Sequence, residues 1–222
     1  MDDIIQFKET LAKAHIRGLA LDIDETLSWT LGHWVAELQE RFGNPENLSV
    51  KELIAKYRYT ANMPQYQSKE ALEWKEWARN DNDLHEILPL IEHANTIVSK
   101  INEIIPIVAY ITARPDTVIA GTQTWLDKHH FPKARIVTRP PNVDLPDANK
   151  WKAQLLEKLY PEVTGIVDDN PELSKHFSPN YKGTIYMYNN ATSTRTDINV
   201  IACMTWDDVL AQVIKNSSSP LK

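Results

Sequence analysis

The sequence predicts an α/β fold: a parallel-sheet core with a small α-helical domain inserted into it. Three observations carry that prediction. Apolar, β-favouring runs recur at residues 19–21, 104–111, 134–137, 164–167, 184–187 and 200–203, with helix-period segments between several of them. The 104–111 run is almost wholly apolar, as expected of a central strand covered on both faces. Twice an apolar run ends in paired acids, Asp22 and Asp24 after the first, Asp168 and Asp169 after the fourth. Carboxyl ends of strands are where open α/β sheets hold their chemistry.

Taken in order, the chain starts Met1-Asp2-Asp3-Ile4-Ile5, acidic and without an apolar stretch of signal-peptide length. No later segment is apolar for long enough to cross a membrane, so a cytoplasmic protein is expected. Residues 16–21 read as a strand, and period-two geometry sends Asp22 and Asp24 to one side with Ile23 to the other. Two like charges so close require a cation; the bland alternative is an acidic turn in which Thr26 caps a helix. The next interval, 28–100, lacks convincing strands. Residues 33–42 and 69–78 have helical spacing, with breaks at Gly43-Asn44-Pro45 and Asn80-Asp81-Asn82-Asp83. A plain crossover does not need so many residues, so the chain divides into a core of 1–27 and 101–222 and a helical cap of 28–100.

Beyond the cap, the 104–111 strand ends at Thr112-Ala113-Arg114-Pro115. Residues 150–159 form a helix with Leu155, Leu156 and Leu159 on one face, stopped by Pro161. His129-His130 has no acidic or cysteine partners nearby and reads as surface rather than a metal site. Cys203 lies in an apolar run and reads as a buried thiol. Residues 216–219 read as a frayed polar tail.

Composition excludes several classes. With 42% apolar and 24% charged residues the chain has the balance of a folded globular protein. Its 24 basic and 30 acidic residues, a formal charge of −6, leave no footprint for a nucleic-acid polymer or an anionic membrane surface.

In a parallel sheet the strand ends share one edge, so Asp22, Asp24, Thr112 and Asp168 converge there. Clustered hard oxygen ligands imply Mg²⁺, whose remaining positions go to water and substrate phosphate. These motifs resemble those of the haloacid dehalogenase superfamily, most of whose members transfer phosphoryl groups on a Rossmann-like core. The first motif, Asp-x-Asp-x-Thr after a strand, is matched by Asp22-Ile23-Asp24-Glu25-Thr26; the second by the strand ending at Thr112; the fourth by Asp168-Asp169. The third is a lysine, and both Lys150 and Lys152 lie at a suitable distance. Helical geometry favours Lys152, which shares the leucine face, whereas Lys150 falls on the solvent face.

The resemblance implies roles. Asp22 would be the nucleophile and Asp24 the general acid and base, a residue that dehalogenase-like members lack. Asp22, the Asp24 main-chain carbonyl and Asp168, with Asp169 beside them, would hold Mg²⁺. Thr112, the main chain at Ala113 and the lysine would hold the transferring oxygens. Helix capping by Thr112 and a loop ion pair at Asp169 are the structural alternatives. A cap between the first and second motifs is associated in that superfamily with small-molecule substrates. Its aromatics, Trp29, Trp34, Tyr57, Tyr59, Tyr66, Trp74 and Trp77, are expected mainly to pack, with Trp29 at the hinge a substrate candidate. Arg58 and Arg114 are candidates for a second anionic group, although Arg114 could instead pair with Asp169.

The expected function is a Mg²⁺-dependent phosphatase acting on a small phosphorylated metabolite, such as a nucleotide or sugar phosphate, through an aspartyl-phosphate. A phosphomutase of the same superfamily and a catalytically idle binding protein of this fold are the alternatives.

Overall fold

Six short segments pair into one all-parallel sheet in the computed structural model, which describes residues 2–193 and 195–217. They are β1 (Gly18–Leu21), β2 (Ile107–Pro115), β3 (Arg135–Arg139), β4 (Val163–Asp168), β5 (Thr184–Tyr188) and β6 (Asn199–Cys203), in the spatial order β3-β2-β1-β4-β5-β6. The short β1 is buried along its whole length because it is central, with Leu21 opposite Tyr110 of β2 and Val167 of β4. That register carries the residues after all three strands to a common edge.

Side-chain alternation separates two apolar layers. Leu19, Leu21 and Ile23 enter one, Ala20 the other. The second layer is covered by α1 (Asp2–Lys13), α8 (Ala148–Leu159) and the short α9 (Pro171–Ser174), through Leu11, Leu155, Leu156, Leu159 and Leu173. The first is covered by α6 (Ala94–Ile104), α7 (Ile119–Lys128) and α10 (Trp206–Ser217), through Ile97, Ile101, Trp125 and Val209.

Between β1 and β2 the regular structure is helical, as expected: α2 (Thr30–Phe42), α3 (Val50–Tyr57), α4 (Lys69–Asn80) and α5 (Asn82–Glu86), then α6. Local chemistry explains their starts. Ser49 and Glu52 form a reciprocal capping box on α3, and Ser68 accepts from the Ala71 N–H on α4. Asp81 ends α4 and caps α5 by accepting from the Leu84 N–H, so the break expected at 80–83 opens another turn of helix. Val35, Leu38, Leu53, Tyr66 and Trp74 share one buried cluster with Leu19, Leu21 and Val167 of the sheet. Polar ties add to this: Gly121 N–H to Asn82 Oδ1 at 2.6 Å, Trp125 Nε1 to the Leu88 carbonyl at 2.7 Å, and Trp29 N–H to the Pro89 carbonyl at 2.8 Å.

Several boundaries differ from the sequence expectation, and β2 continues past Thr112 to Pro115. Ile104 ends α6, which runs past residue 100 and packs on α10, and the strand begins only at Ile107. Pro106 has no N–H to continue a helix and forces Ile105 into an extended conformation; an unbroken apolar run conceals that change of period. Asn216 and Ser217 are not frayed. Ser217 Oγ donates to the Val213 carbonyl and Asn216 Nδ2 to Tyr186 Oη, while residues 218 and 219 of the expected tail lie outside the described residues. Cys203 is buried, and burial pushes its thiol up to about 11. No helix among the described residues is long and apolar enough to cross a membrane.

Gly165 of β4 is a sharp test of this sheet. A Cβ there would overlap the main chain of Thr184 on β5, which cannot yield without losing its ladder. Gly165→Ala is expected to cost about 3 kcal/mol in denaturant unfolding; a loss below about 0.5 kcal/mol would show that β4 and β5 are not packed this closely.

Candidate active site

The site forms where β1, β2 and β4 end. After Leu21 the chain turns so tightly that the Ile23 carbonyl accepts N–H groups from Thr26, Leu27 and Ser28, and Glu25 takes a left-handed φ of 60°. Ile23 and Leu27 are wholly buried, anchoring the turn in the core. Thr26 does not cap a helix. Its Oγ1 accepts from the Asp169 N–H at 3.2 Å and donates to Asp169 Oδ1 at 3.3 Å, stitching the β1 turn to the β4 loop.

Asp22 is buried, and Lys152 donates to its Oδ1 at 2.8 Å and to Asp168 Oδ2 at 2.7 Å. Lys152 is buried on the inward face of α8 whereas Lys150 is exposed, so geometry places only the former at the site. Burial opposes the Lys152 charge, but the carboxylates of Asp168 and Asp22 outweigh it and hold the ammonium above the usual lysine range. For Asp22 burial prevails: its carboxyl is pushed up to about 7 despite Lys152, with the charges of Asp168 and Asp24 adding to the rise. Asp169 is likewise held well above the carboxylate range by burial and by Asp168 and Asp22.

Asp22, Asp168 and Asp169 each offer an oxygen within 4.8 Å of the others. Three hard donors whose negative charges are under-compensated suit a small divalent cation such as Mg²⁺ rather than a soft metal. The Asp24 carboxylate stands outside this trio.

Asp24 is instead gripped by Arg114. Nε lies 3.1 Å from each carboxylate oxygen and Nη2 2.8 Å from Oδ1; Thr30 Oγ1 donates at 2.5 Å, and Thr112 Oγ1 reaches Oδ2 at 3.4 Å. Burial alone would raise the Asp24 pKa, but the charge and hydrogen bonds of Arg114 hold it well below the usual range. Arg114 therefore faces Asp24 and not Asp169. Thr112 does not cap a helix: wholly buried within β2, it bonds to Asp24 and accepts from the Arg114 N–H. The Ala113 carbonyl accepts from Arg139 Nε at 3.1 Å, which ties the last residues of β2 to β3.

Trp29 is half-buried at the N-terminus of α2, its indole lying where a Cβ on Gly32 would fall. Arg58 is exposed, its guanidinium 5.3 Å from the centre of the Tyr59 ring. Tyr66 and Trp74 are core residues; Trp77 and Tyr59 are exposed, at 49% and 43%. His129 packs against Trp125 with the rings tilted and their centres 4.7 Å apart, and His130 is exposed.

Sequence reasoning missed four residues around Asp24: Ser28, Thr30, Thr122 and His85. Alternate polar residues at Thr26, Ser28 and Thr30 were the available signal for the first two. Thr122 and His85 come from distant elements and carry no local signal. Glu25 was also passed over; burial pushes its carboxyl up to about 7 while Oε1 accepts from the Leu31 N–H at 2.6 Å.

His85 is 2% exposed, and neither ring nitrogen makes a well-formed hydrogen bond, the Arg79 main chain offering only a weak one. Burial and the nearby Arg114 charge lower its pKa to about 4. The unfolded chain, with an ordinary histidine near pH 6.5, then binds a proton that the folded chain refuses. Stability is expected to fall by about 3 kcal/mol as pH drops from 6.5 to 4. His85→Phe should flatten that part of the curve in urea titrations; an unchanged acid slope would refute the assignment.

The sheet order, the crossover helices and the helical insertion make this the haloacid dehalogenase fold. Residues 79–200 match the family described as PITM 1-3, LNS2 domain, and with more than half of the chain matched the protein belongs to that family. The match includes Thr112, Lys152, Asp168 and Asp169 and begins after Asp22 and Asp24. Among solved structures, a HAD family hydrolase from Deinococcus radiodurans R1, crystallised with bound phosphate and sodium, superposes with a TM-score of 0.51 at 12% identity, covering 93% of this chain and 99% of its own. At that identity the likeness speaks for the fold. No curated protein sequence matches the chain.

Proposed function

We propose that the protein is a Mg²⁺-dependent phosphatase that hydrolyses a small organic phosphate monoester through an aspartyl-phosphate on Asp22. One observation carries the reading: Asp22, Asp168 and Asp169 meet beside a buried lysine at the carboxyl edge of the sheet, with a second aspartate two residues from the first. Asp22, Asp168 and Asp169 would hold Mg²⁺, which when bound neutralises phosphate charge.

An Asp22 carboxylate oxygen attacks phosphorus, the bond to the ester oxygen breaks, and the leaving oxygen takes a proton from Asp24 in its acid form or, for an acidic alcohol, departs as the anion. Water then attacks the aspartyl-phosphate, Asp24 takes the water proton, the bond to Asp22 breaks, and inorganic phosphate departs. Lys152 balances charge on Asp22 and Asp168 throughout, and Thr112 stands beside Asp24 at the same edge. An ionised Asp24 is ready to serve as base in the second step. To act as acid in the first it must gain a proton against the Arg114 charge. Esters of acidic alcohols, which leave readily as anions, are therefore expected to react fastest.

The helical insertion is read as a cap over this edge, with Trp29 and Arg58 as substrate contacts; nucleotide and sugar phosphates are the leading classes. A second reading, a catalytically idle binding protein, draws on the saturation of Asp24 by Arg114 and Thr30. The deciding assay is phosphate release from p-nitrophenyl phosphate and a panel of phosphorylated metabolites, with Mg²⁺ and with EDTA. Metal-dependent release supports the phosphatase; no release from any compound, with Mg²⁺ binding intact by calorimetry, supports the idle protein.

A further inference from the structure

Arg114 is a costly residue to bury, and its surroundings show what it is for. Its side chain is 2% exposed. Nε and Nη2 fork onto Asp24, Nη2 also donates to Ser28 Oγ at 3.1 Å, and Nη1 donates to Thr122 Oγ1 at 3.0 Å. Ser28 Oγ lies 2.6 Å from Thr30 Oγ1, which itself donates to Asp24. The carboxylate is thus approached from the β1 turn, α2, β2 and, through Thr122, α7. A guanidinium fork matches both oxygens of a carboxylate and fixes its plane as well as its position, which a lysine ammonium cannot do.

We propose that Arg114 is a positioning residue: its fork fixes the direction in which Asp24 presents its oxygens toward the Asp22 centre, and it does not bind substrate. The inference rests on the phosphatase reading and specifies how that site is built. Turning Arg114 toward a substrate anion would strip Asp24 of its fork and take from the buried Thr122 and Ser28 hydroxyls the donor they share. The same network explains why Asp24, on a turn rather than a strand, needs an external brace: the main-chain hydrogen bonds of this turn run from Glu25 to the Ser28 carbonyl and from Thr26, Leu27 and Ser28 to the Ile23 carbonyl, around Asp24.

The test is a double-mutant cycle read in kinetics and in melting. Arg114→Gln is expected to lower kcat for p-nitrophenyl phosphate by about 10- to 100-fold, as a displaced catalytic group does, with KM and inhibition by inorganic phosphate changed less than about threefold. In an Asp24→Asn background the same substitution should cost nothing further, because its effect runs through Asp24. Arg114→Lys should recover thermal stability better than it recovers kcat. A tenfold rise in KM and in the phosphate inhibition constant at unchanged kcat would overturn the proposal in favour of a substrate contact. Additive losses in the double variant, or full kcat in Arg114→Lys, would overturn it equally. Should the wild type release no phosphate from any ester, the phosphatase reading falls, and the melting cycle still judges the brace: coupled Tm losses for Asp24→Asn and Arg114→Gln uphold it, additive ones overturn it.

Discussion

Replacing Asp22 by Asn should lower kcat by about 10⁴-fold, the scale on which removal of a covalent nucleophile is felt. The substitution keeps shape and most packing, since the amide can still accept from Lys152 through its oxygen. What it loses is an anionic oxygen able to form an acyl phosphate. The fold would be little disturbed, because Lys152 keeps Asp168 as its counter-charge, so Tm in EDTA should stay within a few degrees of wild type. The measurement is Mg²⁺-dependent release of p-nitrophenol, paired with acid-quench mass spectrometry for phosphate on Asp22. Undiminished metal-dependent turnover in Asp22→Asn would remove the nucleophile from the mechanism, whatever the fate of the metal site.

Lys152→Ala should destabilise the protein by about 3–5 kcal/mol in the absence of divalent metal. Lys152 is buried at 3% exposure between Asp22 and Asp168, which are 6% and 0% exposed, and removing one partner of a buried pair strands the other charges. For a chain of 222 residues that is a Tm loss on the order of 10 °C. The deficit should widen as pH rises. Without the ammonium the Asp22 carboxyl, already raised above its unfolded value, rises further, so it stays protonated and tolerable in acid and becomes a stranded anion as pH climbs. Mg²⁺ should restore part of the loss, about 2.7 kcal/mol at a hundredfold excess over its dissociation constant, since a cation in the carboxylate trio substitutes for the missing charge. Scanning calorimetry with EDTA and with Mg²⁺ reads both effects; a variant that melts like wild type in EDTA would show that the lysine is not the counter-charge of the trio.

The sheet was legible in the sequence for a reason that applies strand by strand. Central parallel strands are covered on both faces, so 164–167 and 184–187 appear as apolar runs whose ends need only local signals. The 104–111 run failed at its start because a buried helix end and a buried strand look alike until Pro106 is weighed. The facing of Lys150 and Lys152 was legible too, since 3.6-residue periodicity places one in solvent and the other with the leucines. Arg114, expected to meet a second anionic group or Asp169, forks onto Asp24. Nothing local distinguishes Asp24 from Asp169 as its acceptor, because the two acids approach it from different strands.

The sequence by itself determined the parallel α/β core, the position of the helical insertion, and the acids, threonine and lysine that gather at one sheet edge. These follow from periodicity and from the rule that parallel strands end together. Only the tertiary structure decided how the charges are shared: Lys152 with Asp22 and Asp168, Arg114 with Asp24, Thr26 with Asp169, and His85 buried without a firm partner. This sharing depends on distances of a few ångströms between residues as far apart as 143 positions, and a linear pattern does not encode them.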